Sequence, residues 1–225
     1  MREISQEQLK EAIGYYDFEG ELMAANTYGS GHINDTYLLE YRVHGEEKVK
    51  VILQRMNTDI FKAPEQVMEN IVGVTGFLRK KIREEGGDEN RETLNLICAR
   101  DGRYYVVDSK GDYWRAYQFI KGVQSYDQVK EPEDFYECAV SFGHFQKMLA
   151  DYPAETLHET IKGFHDTKAR LQTFKEAVKK DVCGRAELVQ EEIRFVLERE
   201  DVAAVFGDLL DQGRLPLRVT HNDTK

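Results

Sequence analysis

Three groups of residues in this chain have types and spacings that suit reactive chemistry. Gly29-Ser30-Gly31 lies in the stretch YGSGHIN, and a backbone free of Cβ atoms can approach a phosphate and turn its N–H groups toward it. Arg55 ends the run KVKVILQRM. In an alternating strand it shares a face with Val49, Val51 and Leu53, so a cation closes an otherwise apolar row. The α and β phosphates of a nucleotide suit such a cation, and a carboxylate on the following helix would hold it; Glu69 is the expected partner, with Glu65 one turn earlier as its rival. The third group is HNDTK at 221–225. In phosphoryl transfer to a hydroxyl, an aspartate accepts the attacking proton while a nearby cation and Mg²⁺ neutralise charge developing on the phosphate. Asp223 is the candidate base.

Each group has a plainer reading taken alone: a hairpin turn, a solvated arginine at a strand end, a loop aspartate. Asn34 occupies the place of the third glycine in G-x-G-x-x-G, and the loop opens a strand where a dinucleotide-binding fold needs a helix, so that motif is excluded. A phosphate loop of the G-K-[ST] type is absent as well. His221, Asp223 and Lys225 do match the spacing of the protein-kinase catalytic loop H-R-D-L-x-x-x-N. The chain order gives these signals more weight than any one of them has: glycine hairpin, cation-bearing strand, helix, return strands, glycine-marked hinge, H-x-D.

The elements that must position these groups follow from hydrophobic periodicity. Ser5 and Gln8 fit a capping box ahead of a short helix with Leu9, Ala12 and Ile13 on one face. ELMAAN, DTYLLEYRV and KVKVILQRM predict three antiparallel strands in meander order. Val67, Ile71, Val74, Leu78 and Ile82 recur at helical spacing from Pro64 to Arg83, and Gly86-Gly87 ends that helix. TLNLICA, RYYVV and YWRAYQFI predict three more strands, turned at Asp101-Gly102 and Lys110-Gly111. After Lys121-Gly122 the pattern becomes helical over 132–150, 167–180, 186–199 and about 202–210, and LPLRVT reads as extended. The expected fold class is therefore α+β and bilobal, with a sheet lobe over residues 1–120 and a helical lobe over 121–225.

Composition narrows the partners. The 225 residues are 41% hydrophobic, enough for a real core in one large domain or two small lobes. Forty-one acids against 31 bases give a net charge of -10, and no extended basic run offers a phosphate-backbone footprint, which argues against nucleic acid. No apolar stretch is long enough for a membrane span, and the N-terminus lacks the apolar core of a signal peptide, so a cytoplasmic protein is expected. Cys98, Cys138 and Cys183 have no metal or redox spacing and are expected to be buried free thiols.

The stretches YGSGHINDTY (28–37), VILQRMN (51–57), WRAYQFIKG (114–122), GFHDTKAR (163–170) and RVTHNDTK (218–225) resemble the aminoglycoside phosphotransferase family, most closely its N-acetylhexosamine 1-kinase-like members. The resemblance implies a protein-kinase-like fold and ATP- and Mg²⁺-dependent phosphorylation of the anomeric hydroxyl of an N-acetylhexosamine, as in sugar salvage. It implies that Gly29, Ser30 and Gly31 cover the ATP phosphates, that Arg55 is the nucleotide-binding cation, and that Asp223 is catalytic. It also implies that Tyr117, Gln118, Phe119 and Ile120 offer hinge backbone groups to adenine. His165, Asp166 and Arg170 would lie toward the acceptor, although Asp166 can equally cap the helix that follows it. The family's metal-binding Asn and D-x-D motif fall beyond Lys225. The resemblance thus implies an interrupted protein with an incomplete helical lobe, no metal ligand of its own, exposed apolar surface and little activity alone. The alternatives are a kinase of another hydroxyl, such as an aminoglycoside, choline or homoserine, and a non-catalytic nucleotide-binding pseudokinase.

Overall fold

A computed structural model describes residues 4–29, 31, 33–45, 47–123 and 128–222. They form two compact units, one drawn from the described residues within 4–160 together with 219–222, and one of residues 161–218. The lobe boundary expected near residue 120 falls inside the first.

In the first unit, helix α1 (Gln6–Gly14) begins where Ser5 accepts a hydrogen bond from the Gln8 backbone N–H at 3.2 Å. Strands β1 (Glu21–Thr27), β2 (Asp35–Val43) and β3 (Glu47–Arg55) form the expected meander. Helix α2 (Pro64–Glu84) starts on a first-turn proline and carries Lys81 and Arg83 in its last turn, where cations suit the helix dipole. The short strands β4 (Leu96–Ile97) and β5 (Val106–Val107) precede β6 (Tyr113–Gln118). All pairs are antiparallel, in the order β1-β2-β3-β6-β4, with β5 on β6. Helix α3 (Pro132–Met148) opens on a reciprocal Glu131–Asp134 capping box.

The sheet has two differently used faces. On one, Leu39, Tyr41, Val51, Leu53, Trp114 and Ala116 pack with Leu9, Ala12 and Tyr16 of the α1 segment to form the main core. The opposite face meets α2, where Met68 and Val67 cluster with Met56, and Leu96 and Tyr113 pack against them. A third cluster joins the far half of α2 to the end of α3 through Leu78, Ile82, Met148 and Leu149, and Val219 inserts into it.

The second unit holds α4 (Thr167–Lys180), a 3₁₀ turn over 186–189, α5 (Gln190–Leu197) and α6 (Glu200–Asp211). Lys168 pairs with Asp208 at 3.3 Å and Lys175 with Glu200, tying α4 to α6. The helix expected over 186–199 is thus split into a 3₁₀ turn and an α-helix. LPLRVT forms no strand among the described residues; Pro216 has no N–H to give a ladder.

The cysteines differ from expectation, for Cys98, Cys138 and Cys183 are all exposed free thiols. Ala99 is buried and bridges Tyr16, so strand alternation turns its neighbour Cys98 outward. Among the described residues no helix is long and apolar enough to cross a membrane.

Candidate functional site

The glycine hairpin joins β1 to β2, and its base is closed by the Tyr28 backbone N–H donating to the Thr36 carbonyl at 2.8 Å. Gly29 has φ +84, a conformation that strains any residue with a Cβ. Gly31 is not in that region, and a Cβ built on it meets nothing within 4 Å. Neither strain nor packing therefore demands glycine at 31, and the space beside it is open to a ligand. Ser30 lies outside the described residues.

Strand register decides which side chains share the α2-facing side of the sheet. Thr36 is opposite Gln54, and Gln54 is opposite Arg115. The three form one polar row across β2, β3 and β6: Gln54 Nε2 donates to Thr36 Oγ1 at 2.8 Å, while Arg115 Nε and Nη2 donate to Gln54 Oε1 at 3.0 and 2.6 Å. Arg115 Nη1 faces the Met68 sulfur on α2 at 4.0 Å. Burial pulls the Arg115 pKa below the usual guanidinium value, with the nearby Tyr117 acting in the opposite sense. The group remains a cation at neutral pH.

Farther along the same face, Lys50 pairs with Glu40 at 3.0 Å and lies 5.5 Å above the Phe119 ring, which Tyr28 meets edge-on at 5.8 Å. The segment expected to act as the hinge, 117–120, continues from here. Gln118 and Phe119 spend their backbone N–H groups on the carbonyls of Asn95 and Lys50 at 2.9 and 3.3 Å. Glu65 accepts from the Tyr113 hydroxyl on this face, which pushes the tyrosine pKa up to about 12.

Arg55 is placed differently from expectation. It lies on the core face, 3% exposed, where Nε and Nη2 reach Asp35 Oδ2 at 2.8 and 2.6 Å and Nη1 reaches Asp112 Oδ2 at 3.1 Å. Burial opposes its charge, but the Asp35 and Asp112 carboxylates outweigh burial and raise its pKa. The expected partner Glu69 instead pairs with His158 at 2.6 Å, and the rival Glu65 with Tyr113. The reason is strand parity: Met68 of α2 meets Arg115, which pairs with Gln54, and the next residue, Arg55, points to the opposite face. Asp112 and Asp108 also accept from Gln8 Nε2, each at 2.7 Å, and Trp114 Nε1 donates to Asp108 at 2.8 Å. This network ties α1, the 108–112 turn and β3 together.

His221 is held edge-on by Phe142 and Phe145 of α3 at 5.3 and 5.8 Å, next to the buried Val219. Asn222 has φ +63, so the chain turns sharply at this point. Asp223 lies outside the described residues. In the second unit, Asp166 accepts from the Ala169 backbone N–H at 2.9 Å and caps α4. Arg170 folds back to the Phe164 carbonyl at 2.6 Å, and His165 meets the Phe164 ring. An open cavity of about 490 Å³ in this unit, lined by Phe174, Val182, Val189 and Ile193 among others, contains none of the sequence-predicted site residues.

ATP and Mg²⁺ fit these residues to different degrees. The open space at Gly31 and the cation-bearing polar row suit a nucleotide. Among the described residues, no group of three His, Cys, Asp or Glu side chains is arranged to hold a metal.

No family model matches the chain. Among solved structures, it is similar to an aminoglycoside phosphotransferase from Alicyclobacillus acidocaldarius subsp. acidocaldarius DSM 446, with TM-score 0.50 and 11% identity over 89% of this chain and 53% of that one. It is also similar to the spectinomycin phosphotransferase APH(9)-Ia, crystallised with ADP and spectinomycin, with TM-score 0.48 and 10% identity over 96% of this chain and 60% of that one. The chain spans about half to three fifths of the length of these proteins. Its antiparallel sheet with an accompanying long helix, in an α+β arrangement, is the fold of kinase-like phosphotransferases.

Proposed function

We propose that the protein belongs to a small-molecule kinase: it binds ATP on the α2-facing side of the sheet and takes part in phosphoryl transfer to a hydroxyl. The observation that carries this reading is the polar row Thr36–Gln54–Arg115, which runs from the strand closing the glycine hairpin to a cation on β6 beside Met68 of α2. Phosphoryl transfer depends mainly on positioning and neutralisation of phosphate charge, and both can be built from these parts. Gly29, Ser30 and Gly31 cover the phosphates, and Tyr117 to Ile120 face the adenine. The family resemblance assigns Asp223 as the group that accepts the hydroxyl proton; just before it, Val219 packs among α2 and α3 residues and His221 against Phe142 and Phe145. Mg²⁺, when bound, neutralises phosphate charge, and none of the described residues is assigned as its ligand.

For the acceptor, the reading takes the anomeric hydroxyl of an N-acetylhexosamine, which rests on the stretches GHINDTY, ILQR and FHDT. The test is calorimetric titration with ADP, followed by ADP release from ATP and Mg²⁺ with N-acetylhexosamines, aminoglycosides, choline and homoserine offered separately. ADP binding, with turnover that depends on an N-acetylhexosamine and is lost in Asp223→Asn, is the expected result. Turnover with a different acceptor would change the substrate, and no nucleotide binding at millimolar concentration would remove the kinase reading.

A further inference from the structure

We propose that Arg115, seated by Gln54, is the residue that binds the diphosphate of the nucleotide, so that the phosphate-binding cation of this protein is carried by β6. The inference rests on the nucleotide reading above and adds a specific anion subsite to it.

Charge balance is the first ground. Among the described residues, no carboxylate oxygen lies within 4 Å of the Arg115 guanidinium, whereas Arg55 has Asp35 and Asp112 and Lys50 has Glu40. A partly buried cation whose partners are a neutral amide oxygen and a thioether is poorly compensated. Supplying an anion would improve its energy, while for Arg55 an anion would have to displace two carboxylates.

Donor geometry is the second. A guanidinium has five N–H donors in a fixed fork. Gln54 Oε1 takes Nε and Nη2 and thereby fixes the plane of the group, and Nη1 has only the Met68 sulfur at 4.0 Å, a weak acceptor. A seated fork with donors left over is suited to phosphate, which guanidinium binds in a planar, directional way.

Position is the third. The row that begins at Arg115 ends at Thr36, whose carbonyl closes the base of the glycine hairpin. On the same face, Ile52 and Tyr117, then Lys50 and Phe119, lead from the row to the hinge. A nucleotide with its phosphates at the hairpin and its base at the hinge therefore passes Arg115.

The competing reading is that Arg115 only packs its stem against Met68, and the two differ in whether a variant that keeps the stem but removes the charge loses ADP affinity. Arg115→Met keeps the volume of the stem and removes the charge. Removing the poorly compensated charge offsets the two hydrogen bonds that Gln54 Oε1 loses, so the variant should unfold within a few degrees of wild type. Wild type, Arg115→Met and Arg115→Lys are titrated with ADP, adenosine and inorganic pyrophosphate, with unfolding followed through Trp114. In the Met variant the ADP Kd is expected to rise about 10- to 100-fold, the loss of one charge-assisted contact. Adenosine affinity should stay within about twofold, pyrophosphate binding should vanish, and Lys should restore part of the ADP affinity.

Unchanged ADP affinity, equal losses for ADP and adenosine, or a Met variant that melts several degrees lower or fails to fold would each overturn the proposal. ADP bound equally by wild type and Met variant removes Arg115 and leaves the nucleotide reading intact. Pyrophosphate bound by wild type only, without adenosine binding, keeps the anion subsite and removes the nucleotide. No binding of any of the three removes both.

Discussion

Replacing Arg55 with methionine should destabilise the sheet unit by an amount that its surroundings allow us to work out. The side chain is 3% exposed and satisfies two carboxylates, Asp35 through Nε and Nη2 and Asp112 through Nη1. Methionine retains most of the apolar stem, so the change isolates the charge. Removing one member of a buried ion pair costs about 3–5 kcal/mol, because its partners are left charged and unpaired. Here those partners still reach water, Asp35 with 32% and Asp112 with 19% of its side chain exposed, which places the cost near the lower end, about 3 kcal/mol. For a cooperative unit of this size each kcal/mol lowers Tm by about 2–4 °C, so a fall of about 6–12 °C is expected. Trp114 is the only tryptophan, is fully buried and donates to Asp108 in the same network, so its fluorescence reports on this unit. Adding Asp112→Asn should recover about 1 kcal/mol or more of the loss, as coupled neighbours do. A fall of less than about 2 °C, or strictly additive effects, would mean that Arg55 is not the neutralising centre of this network.

Two further changes test other parts of the fold. Gly20 enters β1 with φ +96, and a Cβ there would lie 2.3 Å from the Arg42 carbonyl oxygen, so Gly20→Ala should lower the denaturation midpoint by the equivalent of about 2 kcal/mol or more. A neutral alanine would show that the close approach to β2 is not required. Asp108 gives a pH dependence: burial disfavours its charge, but hydrogen bonds from Gln8, Trp114 and the backbone of Asp112 and Lys110 outweigh burial and depress its pKa below the ordinary 3.8. A depressed carboxylate pKa stabilises fully above the unfolded value and loses that contribution as pH falls through the folded one. Unfolding midpoints measured from neutral pH downward should therefore drop below about pH 4, and Asp108→Asn should flatten that part of the curve. An unchanged slope in the variant would assign the acid sensitivity elsewhere.

The parts of the fold with strong periodicity were legible in the sequence. The β1–β3 meander and α2 with its first-turn proline stand as the residue pattern implies, and Ser5 caps α1, although the Gln8 side chain that the expected capping box would return to Ser5 donates instead to Asp108 and Asp112. The return strands were legible in place but not in length: TLNLICA and RYYVV give two-residue strands, since their backbone is taken up by turns such as Gly102 N–H to Ala99 and Ala99 N–H to Arg103. Cysteine burial was misjudged because composition says nothing about which side of a short strand faces the core. The Asp108–Gln8–Trp114–Arg55 network could not be found by scanning for motifs, since its members are up to 106 positions apart and meet only through the register of β3 and β6 and the docking of α1.

The cation is where sequence and structure part, and the reason is a matter of parity and charge. A strand ending in Gln54-Arg55 offers a neutral residue to one face and a cation to the other, and the sequence does not say which face α2 covers. It covers Gln54. A lysine at 54 would have put a cation directly on the face proposed to bind nucleotide, but Gln54 already lies within hydrogen-bonding distance of Arg115. Two like charges held about 4 Å apart at a partly buried site repel by about 4 kcal/mol. The face can therefore carry its cation on β3 or on β6, and a cation on β6 requires a neutral acceptor on β3, which glutamine provides while its amide donates onward to Thr36. Gln54→Lys should then fail to strengthen ADP binding despite the added charge, and should lower stability by up to that repulsion. Tighter ADP binding with unchanged stability in this variant would show that Arg115 and residue 54 are electrostatically independent, and the assignment of the diphosphate to Arg115 would lose its basis.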